Sequence, residues 1–164
     1  MSRRSFRPIL RAFQQIRGDG TDTRLTADLE YLENRDLDLS VRLGALLAFN
    51  ALMATIGTHP VSASPGAPLS LDAATQPTLT IASLIGILPF VVSSFLCLRA
   101  LLIGEDFDAD LSLEPEALRQ RLFAAFVRSI DAQASHLRHG VLWTMTGGAM
   151  TVLIWIVILA TKML

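Results

Sequence analysis

The chain has 164 residues, of which 51% are apolar and only 18% are charged. Soluble domains carry about 25% charged residues, so this composition indicates a membrane protein rather than a soluble domain. A net charge of −1 gives no support to nucleic-acid binding, and a single cysteine, Cys97, excludes an intrachain disulfide.

Residues 1–38 are predicted to form a cytoplasmic basic tail followed by a juxtamembrane helix. Residues 1–20 interleave arginines with apolar residues, a pattern typical of a segment lying on an anionic membrane surface or of a disordered tail. From Thr23 onward, leucines recur at alternating steps of four and three, broken once by Asp36, and this coiled-coil spacing predicts a helix that continues into the membrane. The leucines of this stripe are Leu25, Leu29, Leu32, Leu39, Leu43 and Leu46.

The first predicted transmembrane helix spans residues 39–58. Arg42, near its start, can extend its guanidinium into the headgroups while its aliphatic stem follows the helix. The alternative, a cleaved signal peptide, fits poorly because about 40 residues precede the apolar run, far more than a usual basic leader region. Residues 59–78 are rich in proline, serine and alanine, and they predict an external loop without regular structure.

The second predicted transmembrane helix spans residues 79–98, inside a run from Ala73 to Leu98 without a charged side chain. About 20 apolar residues suffice to cross the hydrocarbon layer. Pro89 lacks a backbone N–H, and together with Gly86 it predicts a kink. We expect Ser83, Ser93 and Ser94 to bond the carbonyl groups that the kink frees.

Residues 99–139 are predicted to return to the cytoplasm as an acidic turn followed by an amphipathic helix. The acids at positions 105–110 lack the spacing of a calcium loop, so they predict a solvated turn. Ser112 and Pro115 are suited to a helix start, and without a break this helix continues into the third transmembrane helix, 140–162, for about 72 Å. Its apolar face is formed by Leu118, Leu122, Phe126, Ile130 and Leu137.

The distribution of basic residues predicts the orientation of the three spans. Eight lie before Leu43 and five between Arg99 and His139, whereas residues 59–78 contain none. Positive charge is retained in the cytoplasm, so the N-terminus is expected inside and the C-terminus outside the cell membrane. The predicted fold is therefore all-α, with three transmembrane helices and helical cytoplasmic extensions of the first and third.

Small residues and one amide mark the faces on which the predicted spans pack. Small side chains let helices approach closely in lipid, and a buried amide can hydrogen-bond between them. These contacts either hold one subunit together or form a polar ring in an oligomer. The residues are Gly44, Ala48, Asn50, Ala51 and Thr55 in the first span and Gly140, Thr144, Gly147 and Thr151 in the third.

Several classes of function find no support in the sequence. The middle of each span lacks Asp, Glu, Lys and Arg, which ion-coupled transporters use there. No motif for a catalytic nucleophile or a cofactor is present, so an enzyme is not expected. His136 and His139 share a face, but they have no further metal ligands nearby, so interfacial histidines are the favoured interpretation.

The stretch ENRDLDLSVRLGALLAFNALMATIG, residues 33–57, resembles the Pycsar transmembrane effectors of bacterial antiphage defence. In that family a second basic cytoplasmic helix leads into the last span, and in this chain the corresponding segment is EALRQRLFAAFVRSIDAQASHLRHGVLW. The resemblance implies a homo-oligomeric protein of the bacterial inner membrane that responds to a cyclic pyrimidine nucleotide by impairing the membrane. It also implies Arg35, Asp38 and Arg42 as candidate sensing residues. The alternative is a structural or accessory subunit that docks a partner through its cytoplasmic helices.

Overall fold

The computed structural model describes residues 23–103 and 114–163, which are all-helical with connecting turns and contain no strand. Helix α1 spans Thr23–Ser62, α2 spans Pro77–Ile85, α3 spans Leu88–Leu101 and α4 spans Pro115–Met163. The predicted basic tail, the acidic turn and the Ser112 cap lie outside the described residues. Helix α4 begins at Pro115, in the predicted first turn.

Among the residues that the structure describes, three stretches are long and apolar enough to cross a membrane: Ala27–Ser62, Pro77–Leu101 and Glu116–Met163. Helix α1 has 40 residues and α4 has 49, so they are about 60 and 74 Å long at 1.5 Å per residue. Both far exceed a hydrocarbon layer of about 30 Å. Each therefore continues beyond the layer as a stem, formed by the N-terminal part of α1 and the N-terminal part of α4.

The second span is broken where Pro89 and Gly86 predict a kink. Helix α2 ends at Ile85, Gly86 and Ile87 form a turn, and α3 restarts at Leu88. A Cβ built on Gly86 would lie 2.8 Å from Cδ1 of Ile154 and 3.3 Å from the Ser83 carbonyl oxygen, so this turn packs closely against α4. The break is thus a packed feature of the bundle.

Helix α1 extends four residues past the predicted end of the first span. Pro60 lies inside its last turn and is fully buried. Its carbonyl accepts a hydrogen bond from the Leu71 backbone N–H at 2.8 Å, and this bond folds the connecting loop back against the helix end. The loop between α1 and α2 covers residues 63–76 and is built from short turns, so the irregular segment is shorter at both ends than the predicted 59–78.

The buried residues form a narrow axis through the three spans and along the two stems. At the stem end of the spans, Leu43, Cys97 and Ala100 form a buried cluster. Along the stems, Leu39, Leu118, Leu122 and Ala125 are buried. The leucine stripes predicted from the sequence therefore pack against each other within one subunit.

Apolar side chains cover the outside of the spans. Their exposure is expected of surfaces that contact lipid, because lipid tails are as apolar as the side chains themselves. Examples that are more than half exposed are Leu52, Val91, Phe95, Leu142, Met145, Leu153 and Ile156.

Candidate functional site: a polar network between the spans

A closed polar network joins all three spans at one depth. The Asn50 amide Nδ2 donates to Ser93 Oγ at 2.8 Å, and Ser93 Oγ donates to the Gly140 carbonyl at 2.8 Å. Thr144 Oγ1 donates to Asn50 Oδ1 at 2.6 Å. Each hydroxyl has one hydrogen, and this arrangement uses each hydrogen once.

Every side chain of this network is buried. Asn50 is 1% exposed, Ser93 is fully buried and Thr144 is 6% exposed. In the hydrocarbon layer a polar group without a partner costs several kcal/mol, so the network is complete only when α1, α3 and α4 are all in place. The three residues therefore couple the positions of the three helices.

The depth of the network follows from its spacing along the chain. Asn50 is seven residues from Leu43, Ser93 is seven from Ala100, and Thr144 is seven from Leu137. Leu43 and Ala100 belong to the buried cluster at the stem end of the spans, and Leu137 packs against it. At 1.5 Å per residue the network lies about 10 Å further into the bundle.

Two further contacts join the helices nearer the end of the spans that lies away from the stems. Ser83 Oγ donates to the Gly57 carbonyl of α1 at 3.2 Å. Gly147 of α4 lies against Phe90, since a Cβ built there would approach three ring carbons at 2.9–3.0 Å. Ser83 and Ser93 thus bond carbonyl groups of neighbouring helices, and the expectation that they repair their own kinked helix is wrong.

The structure separates the two predicted rows of small residues. Gly140, Thr144, Gly147 and Thr151 of α4 are buried inside the bundle. Gly44, Ala48, Ala51 and Thr55 of α1 are exposed on its outer face. A Cβ built on Gly44 would meet no atom of the described residues within 4 Å. Only the α4 row holds the single subunit together.

The three residues implied by the resemblance lie together on the exposed side of the α1 stem. Asp38 accepts from Arg42 Nε at 3.0 Å and is 3.4 Å from an Arg35 guanidinium nitrogen. Between 40% and 60% of each side chain is exposed. They form an ion-pair chain along one helix.

A cavity of about 540 Å³ lies between the stems, at their outer ends. Asp28 and Tyr31 of α1 face Arg119 and Phe123 of α4 across it. The Arg119 guanidinium is 3.9 Å from the Asp28 carboxylate and its carbon lies 5.8 Å from the centre of the Phe123 ring. These aromatic and charged residues were not anticipated as a group, because nothing in the chain relates positions 28 and 119.

The stems are also joined nearer the membrane. Gln133 Nε2 donates to Asp36 Oδ1 at 2.9 Å, and Gln133 is 6% exposed. Its Oε1 is buried without a hydrogen-bond partner among the described residues. This buried amide fixes the register between the two stems.

The described residues contain no group of three or more His, Cys, Asp or Glu side chains that could hold a metal ion. His136 and His139 each bond a backbone carbonyl of their own helix through Nδ1, at 2.8 and 2.7 Å. Comparison of the chain with protein-family models, curated proteins and solved structures gives no match. The site is therefore interpreted from its own geometry.

Proposed function

We propose that this chain is a membrane effector whose cytoplasmic stems receive a signal and whose spans rearrange, in a homo-oligomer, to permeabilise the membrane. The observation that carries the proposal is the continuity of α1 and α4 from stem to span. A change in the angle or register of the stems is transmitted along an unbroken helix to Asn50 or Thr144.

The polar network gives such a movement a defined consequence. Displacing α1 from α4 separates Asn50 from Thr144 and frees hydrogen-bonding groups inside the hydrocarbon layer. Those groups regain partners only from water or from another subunit, because lipid tails supply none. The network thus favours two discrete arrangements, a closed bundle and an opened one whose polar groups line a wet path.

The exposed face of α1 supports assembly into a homo-oligomer. Gly44, Ala48 and Ala51 offer lipid little surface but let a second helix approach closely. The same face continues into the stem as Leu37 and Val41, which are 61% and 64% exposed. Water solvates apolar stem residues poorly, so a protein neighbour accounts better for the whole face than lipid does.

The signal is proposed from the resemblance to the Pycsar effectors, which implies a cyclic pyrimidine nucleotide. A nucleotide phosphate is compatible with Arg35 or Arg42, whose guanidinium groups are exposed on the stem. Binding there exchanges the Asp38 ion pairs for contacts with the ligand, close to the start of the first span.

A membrane-potential dye in cells with induced expression tests the proposal. Depolarisation is expected when a cyclic pyrimidine nucleotide is produced, and it is expected to be lost in Ala48→Leu, which blocks close approach on the α1 face. Ala160→Leu is the matched control, because Ala160 is exposed at the far end of α4. Full membrane potential in the wild type, with and without the nucleotide, contradicts the proposal.

The second candidate, an accessory subunit, is favoured by the apolar surface of the stems. Tyr31 is 70% exposed and Val127 is 46% exposed, both beside the inter-stem cavity. Purification in mild detergent separates the two functions. A stoichiometric second protein that is lost in Tyr31→Ser supports docking, whereas recovery of a homo-oligomer alone supports the effector.

The proposed location is the bacterial inner membrane, with the stems in the cytoplasm and the loop between α1 and α2 outside. The absence of Lys and Arg from residues 59–78 supports this orientation. The partners proposed are the lipid bilayer, a second copy of the chain and the nucleotide.

A further inference from the structure

Three arginines surround the bundle at one height. Arg42 of α1 adjoins Leu43, Arg99 of α3 adjoins Ala100, and Arg138 of α4 adjoins Leu137. These three apolar neighbours pack together at the stem end of the spans, and all three arginines are exposed. The belt of positive charge marks the level at which the apolar surface of the spans gives way to the stems.

On α4 the belt adjoins a groove of about 660 Å³. The groove is lined by Asp131, Ala134, Ser135, Arg138, His139 and Leu142. Its polar end lies toward the stem. At the other end Leu142 is 57% exposed, and Met145, one turn further along, is 69% exposed. The groove therefore changes from polar to apolar in the direction in which a phospholipid changes from headgroup to acyl chain.

The charges in the groove are open to a ligand. Within the described residues no carboxylate lies within 4.0 Å of the Arg138 guanidinium, in contrast to Arg42 and Arg119. The His139 Nδ1 is 2.7 Å from the Ser135 carbonyl, which can only accept, so Nδ1 carries the hydrogen and Nε2 can accept a hydrogen bond from a ligand. Asp131, about two helical turns from Arg138, places negative charge at the stem end of the groove. An anion is therefore favoured beside Arg138 rather than at the stem end.

We propose that this groove binds the headgroup of an anionic phospholipid, with its phosphate on Arg138, a headgroup hydroxyl donating to His139 Nε2 and an acyl chain along Leu142. Trp143, 43% exposed beside them, is a residue type enriched at this interface. The inference rests on insertion of the spans in a bilayer, and it is independent of the effector function and its signal.

The test is thermal unfolding of the full chain in nanodiscs of phosphatidylcholine with or without phosphatidylglycerol, combined with native mass spectrometry of retained lipid. Phosphatidylglycerol is expected to raise the unfolding temperature and to be retained. The double variant Arg138→Gln with His139→Gln is expected to bind it at least about fivefold more weakly, the loss expected for one basic side chain at the surface of an anionic membrane. Arg128→Gln is the matched control, because Arg128 is exposed on the same helix about 15 Å further from the membrane.

Two further arms separate the sources of the phosphate. Inorganic phosphate added to phosphatidylcholine nanodiscs is expected to have no effect, and equal stabilisation by it would overturn the lipid proposal. Phosphatidylethanolamine is expected to stabilise less than phosphatidylglycerol, since its net charge is zero. Equal effects of the two lipids, or equal losses in the double variant and Arg128→Gln, would likewise overturn it.

Discussion

Two adjacent glycines of α4 differ in what a methyl group would meet. A Cβ on Gly147 would approach the Phe90 ring at 2.9 Å, whereas a Cβ on Gly148 would meet no described atom within 4 Å. We expect Gly147→Ala to lower stability by about 1–3 kcal/mol through overpacking. Gly148→Ala should be neutral or stabilising, because alanine is the better helix former. Unfolding in mixed detergent micelles measures both, and equal losses would contradict the packing seen here.

The same contact predicts the effect of larger changes. Gly147→Leu should weaken the association of α3 with α4 strongly, because the Phe90 ring already crowds the position of Cβ and leucine adds three further carbons there. Leu159→Ala should have little effect, since Leu159 is 41% exposed on the outer surface. Comparable effects on unfolding would show that small residues do not decide how the helices pack.

The polar network makes a separate prediction at Asn50. Asn50→Ala removes the donor to Ser93 and the acceptor of Thr144, so we expect a loss of about 1–3 kcal/mol in unfolding free energy. Ser94→Ala is the control, because Ser94 neighbours Ser93 but is only half-buried. A double-mutant cycle with Thr144→Val isolates the coupling. A coupling energy near zero would mean that the bond at 2.6 Å contributes nothing to the bundle.

At the scale of whole elements, local sequence signals predict the helices well. Pro115 sets the start of α4, and Gly86 with Pro89 sets the break in the second span, since both act through the backbone of their own segment. Local signals do not predict the direction in which a helix face points, because that direction depends on where the other two helices lie. The Gly44 and Gly140 rows have the same chemistry, yet one is exposed and one is buried.

The partners of the hydrogen bonds between elements were likewise not predictable from local sequence. Asn50 stands out in the sequence as an amide in an apolar run, so its bonding to a neighbouring helix was predictable, but its partners were not. Asp36 and Gln133 are separated by 97 positions and look like ordinary polar residues of two amphipathic helices. Only the packing of α1 against α4 brings them together.

The hydrogen bond between Gln133 and Asp36 predicts that substitutions of its two partners lower stability by different amounts. Asp36→Ala leaves the buried Gln133 amide without its partner, and we expect a loss of about 1–3 kcal/mol. Gln133→Leu should cost less, because it also removes the buried Oε1 that has no described partner and leaves Asp36 half-exposed to water. Thermal unfolding followed by helical circular dichroism tests this, with the exposed Asp131→Ala as control. A larger loss in Gln133→Leu than in Asp36→Ala would contradict it.

Taken as a whole, the molecule buries polar side chains among small and apolar ones at the axis of its spans and is apolar on their surface. In a soluble bundle the axis is apolar because water surrounds it. In lipid the drive to bury apolar surface is absent, and small side chains with a few hydrogen bonds hold helices together instead. Asn50, Ser93 and Thr144 at the axis, with Phe95 and Leu153 more than 60% exposed outside, follow that rule.

The orientation of the whole molecule is the last prediction. Lys162 is the one basic residue after Arg138, and its Nζ bonds the Ala67 carbonyl at 2.9 Å and Ser70 Oγ at 3.2 Å. It thus holds the loop between α1 and α2 against the end of α4, so that loop and the C-terminal end of α4 share one side of the membrane. The other thirteen Lys and Arg residues belong, along the sequence, to the segments before Leu43 and between Arg99 and His139, and this imbalance should keep the stem end in the cytoplasm.

Reporters that are active on only one side of the membrane measure this orientation. A periplasmic reporter is expected to be active when inserted at Gly66 or fused after Leu164, and a cytosolic reporter when inserted at residues 104–113. The reporters at Gly66 and after Leu164 are expected on the same side of the membrane, because Lys162 joins the end of α4 to the loop between α1 and α2. A cytosolic C-terminus with an external loop would contradict both the positive-charge rule and the Lys162 contact. A cytosolic result at both positions would contradict the charge rule alone and leave the folded bundle intact.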